Sequence, residues 1–227
     1  MPARDADLAG RHVLVTAGGT REAIDPVRYI GNRSSGRMGV ALAAAAARRG
    51  ASVTLIAANV SLPTSAPIER IDVSSAAELA AAAEDAFPDC HVLLMAAAVA
   101  DFRPRDAGER KLVREGSAEL SLELEATEDV LATLAAGRRE GQTLVGFAAE
   151  HGGEFVERAR GKLERKALDA IVVNDVSDAS IGFDSAENEV TIVDRSGDWP
   201  LPRGSKEEVA RGILDRVAEL REETARH

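Results

Sequence analysis

Residues Val13 to Gly39 read VLVTAGGTREAIDPVRYIGNRSSGRMG, and the fold turns on this stretch. It opens as a short continuous apolar run, VLVTA, and breaks at Gly18-Gly19. A long polar loop then carries Asn32-Arg33-Ser34-Ser35-Gly36 up to a helical pattern over 38–49. A strand, a polar loop with glycines and a helix start make a place to hold an anion. Unpaired N–H groups and the positive end of the helix dipole converge there. Asn32, Ser34 and Ser35 equally suit a plain loop with a helix N-cap, and both readings stand at this stage.

Outward from this segment the chain alternates. Strand-like runs fall at 13–17, 53–57, 68–73, 92–99, 144–148 and 170–173, and several are apolar without alternation, as in a sheet covered on both faces. Helical patterns fit 38–49, 76–87, 129–140, 154–166 and 207–222. Ser75 with Glu78 and Ser205 with Glu208 match a capping box, and Gly50 is placed to end the first helix. The rhythm predicts a three-layer, Rossmann-like α/β domain with a mostly parallel sheet, whose ligands bind at the carboxyl ends of the strands. Two stretches interrupt it. Residues 103–118 are polar and charged and read as a flexible active-site flap, closed by a weak strand over 119–124; residues 180–194 read as a loop and then an alternating strand over 189–193. No linker divides the chain, so one domain over 1–227 is expected, with residues 1–7 as a loose leader.

The 227 residues carry a formal net charge of −10 with no dense run of Lys and Arg, which argues against nucleic-acid or anionic-membrane partners. An acidic chain binds anions only where cations and backbone N–H groups are gathered locally. Aromatics make up only 3%, so the core must rest on Ala, Val, Leu and Ile. No signal-peptide pattern or membrane-spanning run is present, so the cytoplasm is the expected location. Cys90 is the only cysteine, which rules out an intrachain disulfide and leaves it as a structural thiol beside a buried strand.

Familiar sites fail on their details. The first turn, Ala17-Gly18-Gly19-Thr20-Arg21-Glu22, lacks the third glycine of a dinucleotide fingerprint. The only tyrosine, Tyr29, is followed four residues on by Arg33 rather than the lysine of a short-chain dehydrogenase. Gly31 and Gly36 have P-loop spacing, but Arg37-Met38 replace Lys-Ser/Thr. His12, His91, His151 and His227 form no zinc pattern, and no G-x-S-x-G elbow occurs.

Other segments are suited to a ligand. Ala96-Ala97-Ala98-Val99-Ala100-Asp101 follows a buried strand, and such small side chains let main-chain groups approach a flat base. Asp101 then serves a metal ion or a ribose hydroxyl, or is simply solvated beside tight packing. Lys111 is either a lone solvated lysine or a flap residue. Lys162 and Lys166 share a helix face with Arg158; this row is a solvated surface or a cationic wall for a polyphosphate.

The segments GNRSSGRMG, AAAVADF, TEDVL, LVGFAAE, ARGKLERK and VVNDVS occur in the order found in phosphopantothenoylcysteine synthetases. The similarity runs from about Leu8 to about Val217, and on it the chain resembles that family. The resemblance implies a ligase of coenzyme A biosynthesis that activates 4'-phosphopantothenate with CTP to an acyl-cytidylate, then forms an amide with L-cysteine, releasing CMP and pyrophosphate. It places the catalytic asparagine on Asn32 and the lysine of the second half-reaction on Lys111. CTP contacts would fall on Met95, Ala96 and Ala97, on Asp101, on Glu128, Asp129, Val130 and Leu131, and on Phe147, Lys162 and Lys166. Mg²⁺ would accompany the triphosphate, near Asp101. The pantothenate phosphate is assigned to Ser34, Ser35 and Gly36, beside Asn32, from the helix-start argument.

The family also implies a homodimer with residues 25–32 near its interface, and often fusion to a flavin-dependent decarboxylase, a half not seen in this sequence. Three departures stand out. Lys111-Leu112-Val113-Arg114 replaces a Lys-Ile-Lys-Lys flap, Glu128 stands where proline is usual, and Ala186 stands where Asp is common.

Overall fold

His12–Gly18 forms the first strand, β1, and every residue after His12 is buried. Val13 and Val15 enter the core on one face while Leu14 enters it on the other. This is why the run is apolar throughout instead of alternating. The computed structural model describes residues 6–64, 67–113, 120–150, 152–175, 185 and 187–224. After β1 the chain forms β2 (Arg21–Ala23), β3 (Tyr29–Gly31), α1 (Arg37–Arg48), β4 (Ser52–Ala58), β5 (Glu69–Val73) and α2 (Ala76–Ala86). A 3₁₀ turn, Phe87–Asp89, leads to β6 (Val92–Met95), β7 (Phe102–Pro104), β8 (Leu124–Ala126), α3 (Val130–Ala136), β9 (Thr143–Glu150) and α4 (Phe155–Arg165). The last elements are β10 (Ala170–Asp175), β11 (Glu187–Asp194), β12 (Asp198–Ser205) and α5 (Lys206–Thr224).

One eight-stranded sheet runs in the order β12-β11-β10-β9-β6-β1-β4-β5. The strands from β10 to β5 are parallel to one another, and β11 runs antiparallel to both its neighbours, β10 and β12. Helices α1 and α5 cover one face, with Leu42, Ile213 and Leu214 packed onto Val15, Leu55 and Val172. Helices α2, α3 and α4 cover the other, with Leu79, Leu134 and Leu163 packed onto Leu14, Leu93 and Ile171. The three-layer expectation is met.

The helix boundaries follow their chemistry. Ser205 and Glu208 form a reciprocal capping box at the start of α5 (3.2 and 2.8 Å). Ser75 Oγ accepts from Glu78 N, but the Glu78 carboxylate reaches back to Ser74 N. Gly50, at φ +85°, ends α1.

Several expectations need correction. The strand anticipated over 92–99 ends at Met95, because the next N–H groups bond outside the ladder. The helix anticipated over 129–140 stops at Ala136, where Gly137 N–H turns back to Thr133 and Leu134 carbonyls. The weak strand placed at 119–124 lies instead at Leu124–Ala126, paired with Phe102–Pro104. Strand β12 and the β2–β3 hairpin were not anticipated.

The scarcity of aromatics has a geometric result. Along α1, Ala41, Ala43, Ala45 and Ala46 are buried, and Gly39 lies so near β1 that an added Cβ would sit 2.5 Å from Ala17 Cβ and 2.8 Å from Thr16 O. Small side chains thus bring the helix backbone down onto the sheet and fix the start of α1 above the end of β1. Gly39→Ala gains about 1 kcal/mol of helix propensity but forces a shift that costs roughly 1–3 kcal/mol. The urea midpoint is expected to fall with an unchanged slope; a raised midpoint would mean that α1 has room to move off β1.

Candidate active site

From β1 the chain winds outward through β4 to β5, then returns to lay β6 on the other side of β1. This reversal of winding opens a crevice beyond the carboxyl ends of β1 and β6, the position where open α/β sheets bind ligands. A cleft of about 570 Å³ fills it. The start of α1, the 96–101 loop, the start of α3 and one face of α4 form its walls.

The glycines divide the work. Gly18 has φ +87°, and a Cβ there would meet Ala58 O at 2.0 Å. Asn59, itself left-handed at φ 55°, braces this turn by donating from Nδ2 to Gly19 O and Ser74 O, both at 2.9 Å. Gly18 and Gly19 are spent on chain packing and do not line the cleft. Gly36 does. It is the N-cap of α1 at φ +75°, and as a glycine it supplies no capping side chain. Ser34 Oγ only accepts from Gly36 N at 3.4 Å. Asn32, Ser34 and Ser35 are therefore loop residues at the cleft, and the first-turn N–H groups of α1 face it.

The cleft floor is held from β1. Ala97 N–H donates to Thr16 Oγ1 (3.0 Å), Ala98 N–H to Gly18 O (2.8 Å) and Ala100 N–H to Thr20 Oγ1 (2.9 Å). Thr127 Oγ1 donates to Ala100 O at 2.5 Å, and Thr127 N–H to Asp101 O. These bonds end β6 at Met95. They also leave the Asp101 carboxylate exposed at the rim. Asn32 Nδ2 donates to Val99 O at 2.9 Å, which joins the α1 approach to this floor.

On the far wall Lys162 meets Glu150 at 2.5 Å, Arg158 meets the same carboxylate at 2.8 Å, and Lys166 meets Asp129 at 2.7 Å. Asp129 also caps α3 through Ala132 N–H. Burial would raise both carboxyls, but the bonds from these cations hold Glu150 and Asp129 below the usual carboxylate range. Three cations thus meet two carboxylates, and the wall is far less positive than the sequence implied. Met95, Ala96, Ala97, Glu128, Val130, Leu131 and Phe147 also line the cleft, as anticipated.

Sequence reasoning missed Asn188 and Lys206 and gave Asn174 no role. All three line the cleft, although Asn188 and Lys206 are almost wholly buried, and Asn174 Oδ1 is buried without a hydrogen-bond partner. Their convergence depends on the antiparallel strands β11 and β12 folding back beside β10, which no local pattern signals.

Lys111 is not brought into the cleft; it is exposed outside it. Its segment is nevertheless held. Leu112 N–H donates to Asp25 Oδ2 (3.1 Å), Arg28 Nη2 donates to Leu112 O (2.8 Å), and Gly108 N–H donates to Ile24 O (2.9 Å). Burial would raise the Asp25 carboxyl, but the N–H groups of Val27, Leu112 and Arg28, with the Arg28 charge, bring it below its ordinary value. The stretch expected as a flap is therefore clamped at Gly108 and Leu112; its residues 114–118, with Glu119 and Ala186, lie outside the described residues. The Asp-Pro pair in IDPVR was the one available signal for this clamp. Among the described residues no three His, Cys, Asp or Glu side chains gather to enclose a metal, and no helix is long and apolar enough to cross a membrane.

The profile of the family described as DNA/pantothenate metabolism flavoprotein C-terminal domain matches residues 8–220. A curated protein named Cysteine/Cysteine sulfinic acid decarboxylase, from an unknown prokaryotic organism, is 46% identical over 215 residues, covering 94% of this chain and 59% of that protein. The Coenzyme A biosynthesis bifunctional protein CoaBC of Mycobacterium tuberculosis is 46% identical over 221 residues, covering 93% of this chain and 53% of that protein. The chain thus spans a little over half the length of these curated relatives. The crystal structure of the C-terminal domain of Coenzyme A biosynthesis bifunctional protein CoaBC is 35% identical, with a TM-score of 0.81, covering 96% of this chain and 100% of that one.

The clamp gives a test independent of turnover. Asp25→Ala removes the acceptor that Leu112, Val27 and Arg28 share, so trypsin is expected to cut after Arg110 and Lys111 about tenfold faster, with other cleavages unchanged. Equal rates would show that Asp25 does not hold the segment.

Proposed function

Because the chain belongs to the DNA/pantothenate metabolism flavoprotein C-terminal domain family, we propose that it is a phosphopantothenate–cysteine ligase. It works as one synthetase domain that uses CTP in coenzyme A biosynthesis. One observation carries the reading: a helix start with a glycine N-cap, a main-chain floor of small residues and two lysines share a single cleft. Such a cleft suits a nucleoside triphosphate, with the anion at the N–H groups of α1 and the base against the backbone of Met95, Ala96 and Ala97.

The reaction runs in two steps. A carboxylate oxygen of 4'-phosphopantothenate attacks the α-phosphorus of CTP, the bond to the β-phosphate oxygen breaks, and pyrophosphate leaves. The cysteine amine then attacks the acyl carbon of the cytidylate, loses a proton, and CMP leaves. The protein's task is alignment and stabilisation of developing charge. Asn32 is placed to hold the acyl-cytidylate: its Nδ2 is anchored on Val99 O. Ser34, Ser35 and Gly36 receive the pantothenate phosphate, and Lys162 and Lys166 turn from their carboxylates to the triphosphate. Lys111 serves the second step, carried by the segment that Asp25 and Arg28 clamp. Asp101, exposed at the rim, suits Mg²⁺, which takes one or two carboxylates alongside substrate phosphates. When bound, the ion neutralises charge on the triphosphate oxygens.

The β2–β3 hairpin packs on β7, and together with its neighbours it exposes Val27, Tyr29, Phe102 and Leu124. Exposed apolar side chains on these neighbouring short strands suit a second copy of the chain, and the active form in this reading is a homodimer. The longer relatives also suggest work alongside a flavin-dependent decarboxylase domain or protein.

Pyrophosphate release with 4'-phosphopantothenate and Mg²⁺, compared between CTP and ATP, tests the proposal directly. Release with CTP, and an adduct only when cysteine is added, is expected. No release with either nucleotide from folded protein would leave a nucleotide-binding protein without turnover. Asn32→Asp is expected to lower turnover by about 100-fold or more, and near-normal turnover would remove Asn32 from the mechanism. Lys111→Gln is expected to let the acyl-cytidylate accumulate, seen by mass spectrometry of quenched reactions; normal turnover would deny Lys111 its role.

A further inference from the structure

At the opposite end of the sheet, beneath the amino ends of β1, β6 and β9, lies a second cavity of about 470 Å³. Three arginines and a histidine line it, Arg11, Arg139, Arg221 and His91, together with Gln142, whose amide nitrogen is spent on Phe87 O and Cys90 O. Two carboxylates, Asp89 and Glu140, stand exposed at its edge. No carboxylate lies within ion-pair distance of Arg11, Arg139 or Arg221 among the described residues. Arg138, next in the chain to Arg139, does pair with Asp169 at 3.0 Å.

The bonds these groups make leave donors to spare. Arg221 uses Nη1 alone, on His91 O (2.8 Å), Gly141 O (3.0 Å) and Thr143 Oγ1 (3.0 Å). Arg139 uses Nη1 on Pro88 O. Arg11 makes no side-chain hydrogen bond among the described residues. His91 Nδ1 accepts the N–H of His12 at 3.0 Å, so the neutral ring carries its proton on Nε2. Burial, then the charges of Arg11 and Arg221, hold His91 below its ordinary pKa. Burial and Arg11 do the same to Arg221.

A purely structural role explains Arg221 Nη1, which ties carbonyls together in the last turn of α5, where a cation also suits the helix dipole. It does not explain Arg11, whose charge opposes two neighbours and pairs with no acid among the described residues. Mutually repelling cations around a concave space are the arrangement that a compact anion relieves.

We propose that this cavity is a second ligand site, binding a phosphoryl group through the guanidiniums of Arg11 and Arg221 and the Nε2–H of His91. It is separate from the cleft at the carboxyl ends of the strands. A free phosphate ion and the phosphate of a small monoester share this chemistry, and the exposed Asp89 and Glu140 exclude larger polyanions.

The His91 Cε1–H proton resonance, followed at a fixed pH above 7, reads the site, since no described histidine lines the other cleft. Inorganic phosphate is expected to shift it saturably, with a Kd on the order of 1 mM, where sodium chloride of equal ionic strength does not. Methyl phosphate binding as well as phosphate assigns the site to monoesters; phosphate alone assigns it to the free ion. Arg11→Gln is expected to weaken binding about tenfold, and it breaks no internal bond, so the fold survives. Arg221→Gln should weaken it further, but Arg11→Gln decides the matter if that variant fails to fold. An unsaturable shift, a shift matched by chloride, or undiminished binding to Arg11→Gln overturns the proposal.

Discussion

Two buried threonine hydroxyls, Thr16 and Thr20, hold the structure's working end together. Each accepts one N–H from the loop that leaves β6, at Ala97 and Ala100. Those N–H groups have left the ladder, and burying one unpaired costs roughly 1–3 kcal/mol. Remove either hydroxyl and the loop has reason to leave β1. The cleft floor, the Asn32 anchor at Val99 and the rim position of Asp101 all follow from that loop. The winding reversal creates the crevice; the threonines give the crevice a fixed lining.

The opposing wall depends on the scale of side chains. An aromatic-poor core would leave voids if its helices stood at ordinary distance from the sheet. Here alanine and Gly39 let α1 descend until backbone meets backbone, and van der Waals contact replaces bulk. A helix set down this closely has a start that cannot wander. With Gly36 in the left-handed region and no capping side chain, its open N–H groups stay aimed at one place. Packing economy and anion binding are consequences of the same small residues.

Much of this was legible in the chain because it is local. Apolar runs such as VLVTA and AIVV, the alanine-rich helix and the Ser-x-x-Glu boxes carry their period or cap in adjacent residues, and they mark the parallel layers and the cleft-lining segments. What escaped is set by distant partners. The β2–β3 and β7–β8 hairpins are three-residue strands, too short for a period to show. Strand β12 contains Pro200 and Pro202, which argue against a strand by sequence, yet it lies at the sheet edge and pairs only with β11. Lys206 and Asn188 reach the cleft only because β11 and β12 turn back, and the Leu112 clamp joins residues 87 apart. The packing of the Gly18-Gly19 turn is hidden for a related reason: its space is taken by Ala58 and Asn32, contacts that composition cannot reveal.

Charge is handled in opposite ways at the two ends of the sheet. On α4 the lysines that a polyphosphate would need are held by Glu150 and Asp129, so an arriving anion must displace carboxylates already in place. Such a wall is largely neutralised when empty and discriminates by how strongly the ligand competes, which favours a highly charged triphosphate over a simple anion. At the amino ends of β1 and β6 no carboxylate of the described residues lies within ion-pair distance of Arg11, Arg139 or Arg221. A modest anion there need displace no ion-paired carboxylate of the described residues, and its binding relieves repulsion between Arg11 and Arg221. In a chain of net charge −10, long-range attraction does not bring anions to either place. Selectivity at each end is decided by which local partner, a carboxylate or none, already occupies the cation.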